Sequence, residues 1–191
     1  KAELTISARG GSDAAQMLAM LRQSPLQKKY GDTLTNLGAS GPARARYDMV
    51  LPLHAHGAAK KTQGTVELAG VKLTDKRWNL AFDNVRGNAE FDGEGFAAEK
   101  LLVSQTVQSD AAQPGVLSLR AGSGVRDKRQ AFEAELSASL SASELLDRAP
   151  EMAWLKPYVQ GRSQWTVGVT LPQGANTATP SSLKLRSDLV G

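Results

Sequence analysis

The 191-residue chain contains no cysteine. That excludes disulfides, thiolate metal sites and a cysteine nucleophile. Periplasm and cytosol both tolerate such a chain, so the absence leaves the compartment open. Histidine is scarce: His54 and His56 are the only two. On a strand they would share a face, as paired ligands do. No carboxylate lies nearby in sequence to complete a metal site, and a solvated strand end before Gly57 is the plainer reading. Aromatic residues are 5% of the chain, and the net charge of +4 is spread over scattered cations such as Arg44, Arg46, Lys60, Lys76 and Arg126. A basic surface studded with stacking rings is missing, so no nucleic-acid partner is expected. No apolar run approaches the roughly 18 residues of a helical membrane span, and no signal peptide opens the chain. The strand pattern is already under way at Lys1–Ile6 and still running at Leu183–Leu189. We therefore expect a piece of a longer protein.

Reactive constellations are also few. Gly93-Glu-Gly-Phe-Ala-Ala98 superficially matches a dinucleotide loop, but it lies between two strands with no helix behind it. Asp92, Glu94 and Glu99 miss the calcium-loop spacing, because Phe96 occupies a ligand position. There is no nucleophile elbow, Walker loop or His-Glu-x-x-His motif. Asp83, Glu90, Glu133 and Glu135 fall at outward strand positions, where a solvated face explains them better than a catalytic carboxylate pair. Neither catalytic residues, nor a metal, nor a cofactor is expected.

What the chain does have is alternation. Hydrophobic residues make up 41% and charged residues 22%, a folded composition. After a first strand over residues 1–9, Ala14, Met17, Leu18 and Leu21 take helical spacing. Ser24-Pro25 restarts a second short helix that ends near Gly31, and Asp32 to Leu37 reads as a further turn. From Ala43 the period is two: Ala43, Ala45, Tyr47, Met49, Leu51 and Leu53 share one face, and Arg44, Arg46 and Asp48 the other. Pro52 places that strand end at an edge or out of the sheet. Strands follow over 64–73, 78–86, 87–92, 95–104, 115–122, 130–140, 163–171 and 182–190, with Asp92-Gly93 as a hairpin turn. A helical interlude covers Ser141 to Leu155, and Gln173 to Ser182 is a polar loop. The fold class is mainly β (α+β): a long, twisted antiparallel sheet, with short helices near residues 12–30 and 141–155. The organisation is one segment, 1–191, with helical inserts at 12–37 and 141–155.

Two short stretches repeat. Gly64-Thr-Val-Glu-Leu68 returns as Gly87-Asn-Ala-Glu-Phe91, and Arg77-Trp-Asn-Leu-Ala-Phe82 has an echo in Gln164-Trp-Thr-Val-Gly-Val169. Such repetition fits a sheet that grows by adding hairpins. Its apolar faces are regular: Phe132, Ala134, Leu136, Ala138 and Leu140 alternate with Glu133, Glu135, Ser137 and Ser139. Trp165, Val167, Val169 and Leu171 do the same. These faces either bury an ordinary core or leave an apolar groove uncovered; two helical inserts are little cover for about nine strands.

Four stretches carry a resemblance. They are Ser24-Pro25-Leu26 with Leu34, Gly41 and Val50-Leu51-Pro52-Leu53; Gly64 to Leu73; Gly87 to Leu102; and Gly161-Arg-Ser-Gln-Trp165 running into Leu171-Pro172, with Ser187-Asp188-Leu189-x-Gly191 behind. Together they span most of residues 20–191, and the chain resembles the YhdP-type branch of the AsmA-like proteins. The resemblance implies a large protein anchored by one N-terminal helix in the Gram-negative inner membrane and reaching across the periplasm. It implies a curved apolar groove that passes phospholipids toward the outer membrane, supporting the permeability barrier, without enzymatic activity or cofactor. Partners would be phospholipid acyl chains and other envelope proteins, with the membrane anchor outside this segment. The expected lipid-facing surface is Tyr47, Met49, Leu51, Phe91, Phe132, Leu136, Trp165 and Val167. A structural scaffold whose apolar face is ordinary core is the alternative. Residues 105–114 depart from the family pattern, being polar where a Gly-containing strand turn is expected.

Overall fold

Apolar and polar residues alternate through most of the chain, and a computed structural model gathers the alternating segments into one open, curved antiparallel sheet. The structure describes residues 3–23, 26–53, 60–76, 80–105, 113–147, 150–158, 160–173 and 181–188. In chain order the elements are β1 (Glu3–Asp13), α1 (Ala14–Arg22), α2 (Leu26–Asn36), β2 (Leu37–Ser40), β3 (Pro42–Pro52), β4 (Lys61–Asp75), β5 (Leu80–Asp92), β6 (Phe96–Gln105), β7 (Gln113–Ala121), β8 (Gln130–Ser141), α3 (Ala142–Asp147), β9 (Arg162–Pro172) and β10 (Ser182–Ser187). Short 3-10 turns lie at Gly122–Gly124 and Pro150–Leu155. From β3 to β10 each strand pairs with the next in sequence, as local hairpin closure favours. β1 borders β3, and β2 adds to the end of β4.

The helices sit where their caps put them. Asp13 ends β1 and caps α1: one carboxylate oxygen accepts the Ala15 N–H at 2.8 Å and the other accepts the Gly41 N–H at 2.9 Å. Gly41 has φ +113, and a Cβ there would lie 3.2 Å from the Gly70 carbonyl oxygen and from Val71 Cα. Glycine alone fits this crossing without strain. In the last turn of α1, Arg22 donates to the carbonyls of Leu34 and Leu37, which ties α1 to the end of α2.

The mainly β class, the curved sheet and the two helical regions stand as read from the sequence. Details differ. The strands expected at 78–86 and 87–92 are one strand, β5, because bulges absorb the irregularity: the register shifts between Asp83 and Arg86, and Asn84 takes φ 51. The turn expected from Asp32 belongs to α2, and the unforeseen β2 follows it. The interlude from Ser141 divides into α3 and the 3-10 turn. The final strand ends at Ser187. Pro52 is the last residue of β3, opposite Glu3, so its missing N–H falls where the strand leaves the sheet. His54, His56, Ser24, Pro25, Trp78, most of the polar 105–114 stretch and of the 173–182 loop lie outside the described residues.

Glu133 is the clearest correction. It points to the polar side of the sheet, as expected, but it is only 9% exposed. The β7–β8 connection folds back over it, and its carboxylate accepts the backbone N–H groups of Arg126 and Asp127 at 3.1 and 3.0 Å. Beneath lies Arg120, 3% exposed, which donates in a fork to Glu99 at 2.6 and 2.5 Å and approaches Glu133 at 3.9 Å. A buried guanidinium requires such partners.

Candidate functional site: the apolar face of the sheet

Residues directly opposite in an antiparallel pair project from the same side of the sheet, so register alone maps the two faces. Leu4, Ile6 and Ala8 pair with Leu51, Met49 and Tyr47. Tyr47 pairs with Gly64, and Gly64 with Phe91. Phe91 pairs with Phe96, Phe96 with Ala121, and Ala121 with Phe132. Leu136 and Ala138 pair with Val167 and Trp165, and Val167 with Leu185. All eight residues expected on the apolar surface therefore occupy one face. Across these pairings the face carries no charged residue apart from Asp75, at the very end of β4. The charged side chains take the other face, where Arg46, Glu67, Arg86, Glu90, Glu135 and Lys184 lie exposed.

The repeat explains part of this order. Gly64–Leu68 and Gly87–Phe91 are each other's antiparallel partners, so that Gly64 faces Phe91 and Gly87 faces Leu68. Each small residue thus receives a large one from the other copy. At Gly64 the fit is tight: a Cβ there would fall 2.3 Å from the Phe91 ring and 2.4 Å from the Arg46 carbonyl oxygen. The free space lets the Tyr47 and Phe91 rings stack across β4, centroids 6.4 Å apart. The Tyr47 hydroxyl also contacts the Met49 sulfur at 3.4 Å.

The face is not covered evenly. Val71 and Val85 are fully buried, and Leu101, Val103, Leu117, Ala138 and Leu140 nearly so, in a cluster joined by Ala14 of α1. These residues lie toward the strand ends that adjoin α1, β2 and α3. At the opposite strand ends Tyr47, Met49, Leu51, Phe91 and Phe132 are half-buried. Leu136 is buried in the core cluster, and Trp165 and Val167 are half-buried against it. The indole N–H of Trp165 is buried with no hydrogen-bond partner among the described residues. On the outermost strands Leu4, Ile6, Leu183 and Leu185 are exposed, Leu183 at 57%. Sequence reasoning missed these four as part of the surface, although their alternation was visible.

No group of three or more histidines and carboxylates able to hold a metal occurs among the described residues. Asp92 instead closes the β5–β6 turn, accepting from the Glu94 and Gly95 N–H groups and the Ser123 hydroxyl. Hydrogen bonds and charge from Arg120 hold the Glu99 carboxyl below its ordinary range. No described helix is long and apolar enough to cross a membrane.

A one-layer sheet, charged on one side and apolar but half-covered on the other, defines an open β-groove domain. The chain matches the family model described as YhdP protein over residues 1–191, and it belongs to that family, as the four sequence stretches indicated. No curated protein and no solved structure matches it.

Proposed function

We propose that this chain is a periplasmic stretch of a passive lipid conduit, in which the apolar face of the sheet carries phospholipid acyl chains between the inner and outer membranes. One observation carries the reading: the register of the eight strand ladders from β1 to β10 keeps charge off a single face, apart from Asp75 at the end of β4, and that face stays exposed at both outer strands. Acyl chains need apolar contact rather than chemistry, and each CH₂ removed from water contributes about 0.8 kcal/mol. A face without directional groups also lets a chain slide, because no single contact must break at large cost. Family membership supports the cell-envelope setting. On this reading the protein is not an enzyme, takes no cofactor, and serves the outer-membrane permeability barrier. Its membrane anchor lies in the parent protein outside this segment.

A second reading has its own support. Val71, Val85 and Leu101 are sealed as tightly as any protein core, which favours a scaffold for outer-membrane assembly whose apolar face is simply packed.

Photo-crosslinking in cells separates the two. A photoreactive residue replaces Met49, Phe132 or Val167 in the full-length protein, in cells carrying radiolabelled phospholipid. Glu135 is the control, being exposed on the opposite face; Glu133 is unsuitable because it is buried. Label at the three apolar positions and not at Glu135 is expected. A folded, expressed protein with no label at any position overturns the conduit and leaves the scaffold.

A further inference from the structure

We propose that the charged face carries an anion site, built by Arg9 of β1 with Arg44 and Arg46 of β3, that binds a phosphate group. Register brings the three cations together. Arg9 lies directly opposite Arg46, and Gly11 directly opposite Arg44. They border a hollow of about 370 Å³ whose lining also includes Gly10, Gly11 and Glu67. Glu67 is the one carboxylate of that lining, and Asp48, beside Arg46, also draws on Arg9.

Like charges directly opposed across a strand pair destabilise it, and an anion between them reverses the sign. Arg46 has a partial remedy in Asp48, at 3.2 Å, which in turn accepts from the Ser7 hydroxyl at 2.6 Å. Arg9 and Arg44 make no ion pair among the described residues. Glu67 is the cross-strand partner of Arg44 but does not close to ion-pair distance. Gly11, on the same face as Arg9, leaves the floor bare there: a Cβ on it would meet nothing nearer than 3.8 Å. Guanidinium forks match the oxygen spacing of phosphate and engage it with two parallel hydrogen bonds. A tetrahedral anion seated over Gly11 would take Arg9 from the edge strand and Arg44 from its neighbour. The site stands on the face opposite the apolar one and does not rest on the lipid reading. The phosphate belongs either to a lipid headgroup lying over the β1 edge or to a soluble phosphate ester.

The test is an NMR titration of the full chain with inorganic phosphate, read at the amides of Gly10 and Gly11, against sodium chloride at equal ionic strength. Saturable shifts with phosphate alone are expected. Arg9→Gln and Arg44→Gln should each weaken binding about tenfold, the loss of one charge-assisted contact. Arg9→Lys and Arg44→Lys keep the charge but not the fork and should fall between. Arg86→Gln, on the same face but hydrogen-bonded to Asn84, should change nothing. Flotation with vesicles of one part phosphatidylglycerol to three parts phosphatidylcholine then assigns the source. Binding that requires Arg9 and Arg44 supports a headgroup; phosphate binding without vesicle binding supports a soluble ester. Phosphate shifts no different from chloride, or undiminished in both glutamine variants, overturn the site.

Discussion

The rings of Tyr47 and Phe91 stack with an interplanar angle of 20°, although their strands are not neighbours: β4 runs between them and contributes Gly64 at the point of crossing. The pair spans three strands only because the middle one carries no side chain there. Gly64→Ala should therefore destabilise the fold by about 1–3 kcal/mol, the usual cost of forcing an extra carbon into a packed site. Gly168→Ala is the contrast, because its Cβ would meet nothing nearer than Lys184 Cβ at 3.9 Å. That change should stay within about 0.5 kcal/mol. Urea unfolding of both variants checks the difference.

Arg120 is more deeply buried than either of its acidic partners. Arg120→Ala leaves Glu133 buried without its cation, and we expect a loss of about 3 kcal/mol. Glu99→Ala should cost clearly less, because Glu99 is half exposed and Arg120 keeps Glu133. A double-mutant cycle over Arg120 and Glu99, read by chemical denaturation, gives the coupling; additive losses would show that the fork contributes nothing.

Stability should fall in acid partly through Glu99. Its folded pKa lies below the unfolded one, because Arg120 hydrogen-bonds and attracts the charged form. The contribution is therefore complete above the ordinary glutamate range and is lost as pH falls through the folded value. Glu99→Gln should flatten the stability profile in that acid window and leave its shape at neutral pH unchanged. Separately, the Arg129 side chain and N–H lower Asp127 to about 2. Carboxyl NMR should find that midpoint in the native chain, and Arg129→Ala should return it toward 3.8.

Lys100 adopts φ 55 at the irregularity between β6 and β7. A side chain in the left-handed region costs roughly 1 kcal/mol that glycine avoids. Lys100→Gly should therefore be neutral or stabilising by up to about 1 kcal/mol, against the loss expected for glycine in a regular strand. A lowered urea midpoint would contradict the bulge geometry.

Trp165 offers an optical report on the apolar face. In a variant with Trp165 as the single tryptophan, brominated phospholipid should quench its fluorescence. A variant retaining only Trp154, which is 68% exposed on the 3-10 turn, controls for loose association. Equal quenching of both would argue against a lipid path beside Trp165.

Much of this architecture is written in the order of residues. Period-two alternation fixed which side chains share a face within each strand, and Asp92-Gly93 marked a hairpin that the structure closes with Asp92 as acceptor. The sequence of turns made a meander the natural topology, because neighbouring strands close the shortest loops. The bulges at Asn84 and Lys100 were not legible, since each depends on how one strand keeps register with its partners.

Tertiary structure alone decided what each face meets. Glu133 and Glu135 are alternate residues of one strand, identical in sequence pattern, yet Glu133 is buried and Glu135 exposed. The difference is the β7–β8 connection, which folds over one and not the other. Likewise the alternation in β5 and β8 could not tell that Val85 and Leu140 would be sealed near the helices while Phe91 and Phe132 stayed half open. Alternation is a local property of the backbone, whereas burial depends on what distant segments place above it.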